Sequence, residues 1–151
     1  MDIETKAKEQ DEILQLVSFK VGNEEFAIDI LKVNEIIRFM EITKMPNSPA
    51  HVEGIINLRG KVVPVVSLRI KMGLPAIEND SNSRIIVVEL HNKIIGFKVD
   101  AVYEVLRIPR SITETPPDLV SNVNSQYITS VGKIDDRLLI LLDIEKMLLE
   151  I

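Results

Sequence analysis

Much of this chain can be laid over itself. Phe26-Ala27-Ile28-Asp29 falls on Ile95-Gly96-Phe97-Lys98, and Val33-Asn34-Glu35-Ile36-Ile37 falls on Val102-Tyr103-Glu104-Val105-Leu106, both at an offset of 69 residues. Ile42-Thr43 and Pro46 match Ile112-Thr113 and Pro116 at 70, and Val62 to Leu68 match Leu138 to Ile144 at 76. Any two β-rich segments share alternation, but here the order of elements agrees as well. The repeat restricts the fold strongly. Each half of the 151 residues lies near the lower size limit for independent stability, so the two must share an apolar interface.

Within the first half the apolar period is 2. Val17, Phe19 and Val21 share a face, Gly22-Asn23 makes a turn, and Phe26, Ile28 and Ile30 alternate with Glu25, Ala27 and Asp29, which predicts a β-hairpin. Lys32 to Met40 fits helical spacing at Val33, Ile36, Ile37 and Met40, yet its β-branched content favours a strand. Pro46 and Pro49 make Glu41 to His51 a loop with room for one helical turn. Gly54 to Leu68, GIINLRGKVVPVVSL, predicts a second hairpin in which Gly60 takes the positive φ of a three-residue loop or bulge, leaving Arg59 charged on the rim. Pro64 in its second arm predicts a bulge or barrel corner. Ser67 can cap a short helix over Leu68 to Met72, ended by Gly73 and Pro75.

Ala76 to Ser83, AIENDSNS, has linker composition. Beyond it Arg84 to Leu90, Ile94 to Val99 and Ala101 to Ile108 read as strands, with His91-Asn92-Lys93 as a turn and Val102, Glu104 and Leu106 on one face. Pro109 to Gln126, with Pro116-Pro117, is a loop long enough to need a role or some local structure. Tyr127 to Ile134 and Arg137 to Leu142 form a hairpin across Asp135-Asp136. Asp143 can cap a terminal helix with Ile144, Met147, Leu148 and Ile151 at i, i+3, i+4 and i+7. The expected architecture is all-β: two small five-stranded barrels, closed or nearly so, sharing a core, with a short helix after the last strand of each half. Residues 1–12 form a tail, 13–75 the first half, 76–83 the linker and 84–151 the second half.

Composition narrows the function. Hydrophobic residues make up 46% and charged residues 27%, the balance of a globular protein. A net charge of −5 with scattered Lys and Arg offers no basic stripe for nucleic acid. The absence of cysteine removes disulfides, thiolate metal sites and cysteine nucleophiles. No signal-peptide pattern begins the chain and no apolar run approaches the roughly 20 residues that span a bilayer, which places the protein in the cytoplasm without direct membrane insertion. No phosphate loop, dinucleotide fingerprint or H-E-x-x-H is present, so no cofactor or metal is expected. His91 reads as a solvated turn residue, His51 as a capping or packing one, and the side chains of Asp135 and Asp136 diverge. A groove between two barrels is a natural binding surface. The rival is a small hydrolase or ligand-binding barrel pair, which a deep pocket with buried carboxylates or histidine would favour. An open apolar groove edged by Arg59 would favour an adaptor.

VEGIINLRGKVVPVVSL from Val52 to Leu68, with FAIDILKVNEII upstream and VGKIDDRLLILLDIEKML near the C-terminus, resembles the CheW family of bacterial chemotaxis coupling proteins. The likeness runs from about Leu14 to Leu149. It implies SH3-like barrels and a non-enzymatic adaptor that couples methyl-accepting chemoreceptors to the regulatory domain of the histidine kinase CheA. It further implies a monomer when free, recruited to membrane-anchored receptor arrays. Carried over motif by motif, the receptor-facing arginine falls on Arg59 and the glutamate on Glu35, with Val33 and Gly54 at neighbouring functional positions. Val99, Val102 and Val105 become candidates for the apolar lining, although alternation turns at most one of Val102 and Val105 inward. The kinase-facing surface lies at barrel ends in the family, and no residue of this chain is assigned to it. The same barrel pair also occurs within the kinase and fused to receiver domains. The absence of any such segment favours a free-standing coupler.

Overall fold

A computed structural model describes residues 12–115 and 125–149. The first half supplies β1 (Ile13–Val21), β2 (Glu24–Asp29), a 3-10 turn (Ile30–Lys32), β3 (Val33–Arg38), β4 (Val52–Leu58), β5 (Lys61–Ser67) and helix α1 (Leu68–Lys71). The second supplies β6 (Arg84–Leu90), β7 (Lys93–Val99), β8 (Ala101–Pro109), a 3-10 turn (Arg110–Ile112), the two-residue β9 (Thr113–Glu114), a 3-10 turn (Ser125–Tyr127), β10 (Ile128–Ile134), β11 (Arg137–Leu142) and helix α2 (Ile144–Leu149). One sheet has the order β8-β1-β2-β11-β10-β9 and the other β3-β6-β7-β5-β4. These are two pseudo-symmetric SH3-like barrels. Superposing the halves carries one sheet order onto the other, apart from β9, and the counterpart of β9 is the isolated bridge of Thr43 to Ile55.

The sequence halves do not coincide with the barrels. Each sheet takes two strands from one half and the rest from the other, joined by the parallel pairs β2 with β11 and β5 with β7. These pairs are themselves equivalent: Leu141 sits opposite Ala27 as Val65 sits opposite Gly96. Adjacency along the chain and hairpin turns can specify antiparallel neighbours, whereas a parallel pair needs a long crossover, so this exchange is invisible in local pattern.

Both faces of the central strands are buried, which explains runs such as RIIVVEL. Val17, Phe19, Phe26, Ile28, Ile86, Phe97, Ile140 and Met147 belong to the core between the sheets. Phe19 lies 6.0 Å from Phe26 and 5.6 Å from Phe97, centroid to centroid, and so links the two layers. Leu16, Ala27, Ile108, Leu139 and Leu141 fill one barrel, and Ile56, Val63, Val65, Ile85 and Val87 the other.

Several expectations change in detail. The β4–β5 connection is a two-residue turn, with Arg59 at φ 51° and Gly60 at φ 85°, because strand pairing persists to Leu58 and Lys61. Asn57 Oδ1 accepts from Gly60 N at 2.8 Å and stabilises it. His91 (φ 49°) and Asn92 (φ 66°) form another such turn, leaving Lys93 in β7. Pro64 lies in regular register opposite Ile55, and the bulge falls instead in the partner strand at Glu53. On its other side β5 is paired only from Val65, so the missing N–H of Pro64 interrupts nothing there. A bulge at Tyr103 in β8 separates Val102, packed on the inter-sheet core, from Leu106, packed inside the barrel, so Val102, Glu104 and Leu106 do not share one environment. The loop before β4 contains the Thr43 bridge and no helical turn. The long loop after β8 is interrupted by two 3-10 turns and β9, while Pro116-Pro117 lies outside the described residues, as do Ile151 and residues 1–11 of the expected tail.

Both short helices form as expected. Ser67 Oγ accepts from Ile70 N at 3.3 Å, and Gly73 at φ 81° ends the first. Asp143 Oδ1 accepts from Lys146 N at 3.0 Å, and Ile144, Met147 and Leu148 are buried.

Candidate functional site

Glu35 and Arg59, 24 residues apart in sequence, meet in space. Their strands β3 and β4 are the opposite edges of one sheet, and the ion pair spans the gap where that sheet curls round on itself. Arg59 Nη1 donates to Glu35 Oε1 at 3.1 Å while Nη2 engages Oε2, a two-pronged contact. The left-handed backbone at Arg59 aims its side chain across the barrel mouth. A bulge at Asn34 resets the register of β3 so that Glu35 stands opposite Val87. Arg59 holds the Glu35 carboxyl below its ordinary value, by hydrogen bonding first and charge second, and Glu35 raises the guanidinium in return. The Arg59 side chain is still 71% exposed. Beneath the pair lies a cavity of about 170 Å³ lined by Leu58, Val63, Val87 and Ile94.

The twin barrel repeats this arrangement with one change. Tyr103 is the counterpart of the Asn34 bulge, and Asp135 (φ 53°) takes the turn position of Arg59. Glu104, the equivalent of Glu35, is held by Arg137, which lies at the position of Lys61 rather than of Arg59. Arg137 donates at 3.1 Å to Glu104, and through Nε at 3.0 Å to Glu25, its stronger partner. Hydrogen bonding to Glu25 first and Glu104 second raises the Arg137 pKa. Both barrels therefore carry a glutamate–arginine latch, but in the second the arginine is shared between two carboxylates and stands on a strand. Sequence comparison shows the change at the turn and misses the retained pair, because the arginine has moved two positions.

The remaining candidates separate by burial. Gly54 is buried, at φ 145°, where a Cβ would come within 2.1 Å of the Thr43 carbonyl oxygen, so close packing of the Ile42–Thr43 segment requires glycine there. Val99 is 1% exposed and belongs to the inter-sheet core, which leaves it no surface to offer. Val33 and Val102 are pseudo-symmetry mates, both half-buried against that core. Val105, beside Tyr103 on edge strand β8, is 57% exposed and is the outward member of the Val102 and Val105 pair.

A second concavity, a groove of about 420 Å³, is not edged by Arg59. It opens beside β1, the turn after β2 and the start of α2, with Leu14, Ile28 and the exposed Ile13 and Leu31 on its walls. Its carboxylates already have structural partners: Asp29 Oδ1 accepts from Leu31 N, Asp143 caps α2, and Glu12 pairs with Arg110. Glu145 binds both Lys32, at 3.3 Å, and His91. His51 is half-buried, and burial first and Lys71 second keep its ring below its ordinary pKa and hence neutral at pH 7. Among the described residues no group of three His, Cys, Asp or Glu side chains is placed to hold a metal ion, and no helix is long and apolar enough to cross a membrane.

His91, then Lys32, lower the Glu145 pKa below its ordinary 4.5. A carboxylate lowered in the folded state contributes stability above its unfolded pKa and loses it as pH falls through the folded value. Glu145→Gln is therefore expected to be less stable than the parent near pH 6 and to converge with it once the pH falls below the lowered Glu145 value. Urea midpoints across that range measure the difference.

Two curled sheets, polar residues engaged in caps and latches, and open rather than enclosed concavities define a binding scaffold of paired barrels. Residues 15–151 match the CheW-like domain, and the chain belongs to that family of chemotaxis scaffolds. It is 37% identical to the chemotaxis protein CheW of Klebsiella aerogenes over 134 residues, covering 89% of this chain and 81% of that one. With CheW of Helicobacter pylori it shares 37% over 144 residues, covering 95% and 87%. The crystal structure of the scaffolding protein TtCheW from Thermoanaerobacter tengcongensis superposes with a TM-score of 0.82 at 34% identity, over 90% of this chain and 88% of that one.

Proposed function

We propose that this protein is a non-enzymatic coupler that joins the cytoplasmic tips of methyl-accepting chemoreceptors to the regulatory domain of the kinase CheA, and that it is cytoplasmic and recruited to receptor arrays. The likeness of nearly the whole chain to a scaffolding protein supports this reading above all. The exposed Arg59, latched by Glu35, and the outward Val105 supply the charged and apolar parts of a receptor-binding surface, with Val33 and Val102 flanking the shared core. Val99 and Gly54 serve that surface from behind. A docking area of standard size, roughly 1,200 to 2,000 Å², supports micromolar affinity, which multivalent assembly in an array strengthens.

Arg59→Glu removes the latch and reverses the charge while touching no core residue. It is expected to melt close to the parent temperature and to lose most receptor-dependent activation of CheA. Normal activation by the variant would remove Arg59 from the site. Failure of the parent to co-sediment with purified CheA and receptor fragments at tens of micromolar would overturn the coupling role as a whole.

A further inference from the structure

Among the described residues Arg59, Arg69, Arg110 and Arg137 each contact a carboxylate, whereas Arg38, Arg84 and Arg107 do not. Two of those three stand side by side. Arg38, the last residue of β3, is directly opposite Arg84, the first of β6. Directly opposed like charges on paired strands repel, and a chain of net charge −5 has many acidic residues with which to neutralise them. Arg38 and Arg84 line a wide concavity of about 510 Å³ together with Phe39, Asn79, Asp80 and Ser83. Arg84 is held in place, its Nη1 donating at 2.8 Å to the carbonyls of Ser81 and Ser83, which leaves its other donors available. The acid in this lining is turned into its own loop, where Asp80 Oδ1 accepts from Asn82 N at 2.8 Å and Ser83 N at 3.2 Å.

We propose that Arg38 and Arg84 form a docking surface for an acidic helical segment of a protein partner, each guanidinium receiving one of two carboxylates a helical turn apart. The spacing carries this choice. Cross-strand partners have Cα atoms about 5 Å apart and positions i and i+4 on a helix have Cβ atoms about 5–6 Å apart, so the two pairs of side chains project from matching spacings. The concavity is too open to enclose a lone small anion, and guanidiniums are well matched to carboxylates in two-pronged contacts. This surface is separate from Arg59, and its test does not depend on the coupling role.

The probe is a fluorescent helical peptide with glutamates at i and i+4, compared at low salt with a twin carrying glutamines. Anisotropy is expected to show binding of the glutamate peptide that weakens with salt, and at least tenfold weaker binding by Arg38→Glu. The side-chain Nε resonances of Arg38 and Arg84 should shift together during the titration. Arg38 is exposed, so its substitution leaves the fold intact, and a matching thermal melt verifies this. Equal binding of the two peptides, or no effect of Arg38→Glu, would overturn the proposal. So would perturbation of both arginine resonances by inorganic phosphate or an oligonucleotide but not by the peptide.

Discussion

Cutting the chain within residues 76–83 is expected to leave neither piece folded alone, and mixing the pieces in equal amounts to restore the native structure. The parallel pairs β2 with β11 and β5 with β7 join opposite halves, as does the antiparallel pairing of β1 with β8 and of β3 with β6. An isolated first half would keep the two hairpins but lose every partner on the far side of β1, β2, β3 and β5, together with half of the inter-sheet core. Two-stranded hairpins are marginal at best in water. Circular dichroism and amide proton dispersion of each fragment, then of the mixture, read the result. A fragment with native dispersion by itself would show that the halves are independent units after all.

Gly54→Ala is expected to be the most damaging glycine-to-alanine change in this protein. The new Cβ would meet backbone, the Thr43 carbonyl at 2.1 Å, and no side-chain rotation relieves that contact. The same oxygen accepts the amide of Ile55 at 2.9 Å, so moving the loop away breaks the bridge that fastens it to β4. Strain at φ 145° adds to the clash. Together these should cost about 4 kcal/mol or more, a large part of the 5–15 kcal/mol that typically holds a domain together. Gly60→Ala is the control. Its Cβ would meet nothing within 4 Å, so only the left-handed backbone is penalised, at about 1–2 kcal/mol. Urea denaturation distinguishes them, and equal losses would refute the packing explanation for Gly54. A receptor-coupling defect in any Gly54 variant should accordingly track lost stability.

Most of the local structure was legible because it is locally caused. Strand alternation, glycine and asparagine in the turns, Ser67 and Asp143 as caps, and the repeat itself depend on neighbours a few residues apart. The misjudged details are those in which a distant partner decides. The Arg59 turn is shorter than expected because pairing with β5 persists to Leu58. Pro64 escapes a bulge because β7 joins β5 only beyond it. Val99, a candidate only through the resemblance of its segment to a strand beside the family's groove, lies in the inter-sheet core, because which side of a two-faced sheet a residue covers is decided by the opposing layer.

The sequence by itself determined that the chain repeats, that each repeat is a series of short strands closed by a capped helix, and that Arg59 stands on a turn. Its turn residues, periodicities and motif suffice for this, since each acts over a few residues. Only the tertiary structure decided that the repeats exchange strands, that Glu35 closes onto Arg59 while Glu104 closes onto Arg137, and that Arg38 faces Arg84 with no carboxylate partner among the described residues. Those outcomes depend on pairings between residues dozens of positions apart, and the free energy of such pairings is set by burial and register across the whole core rather than by any local preference.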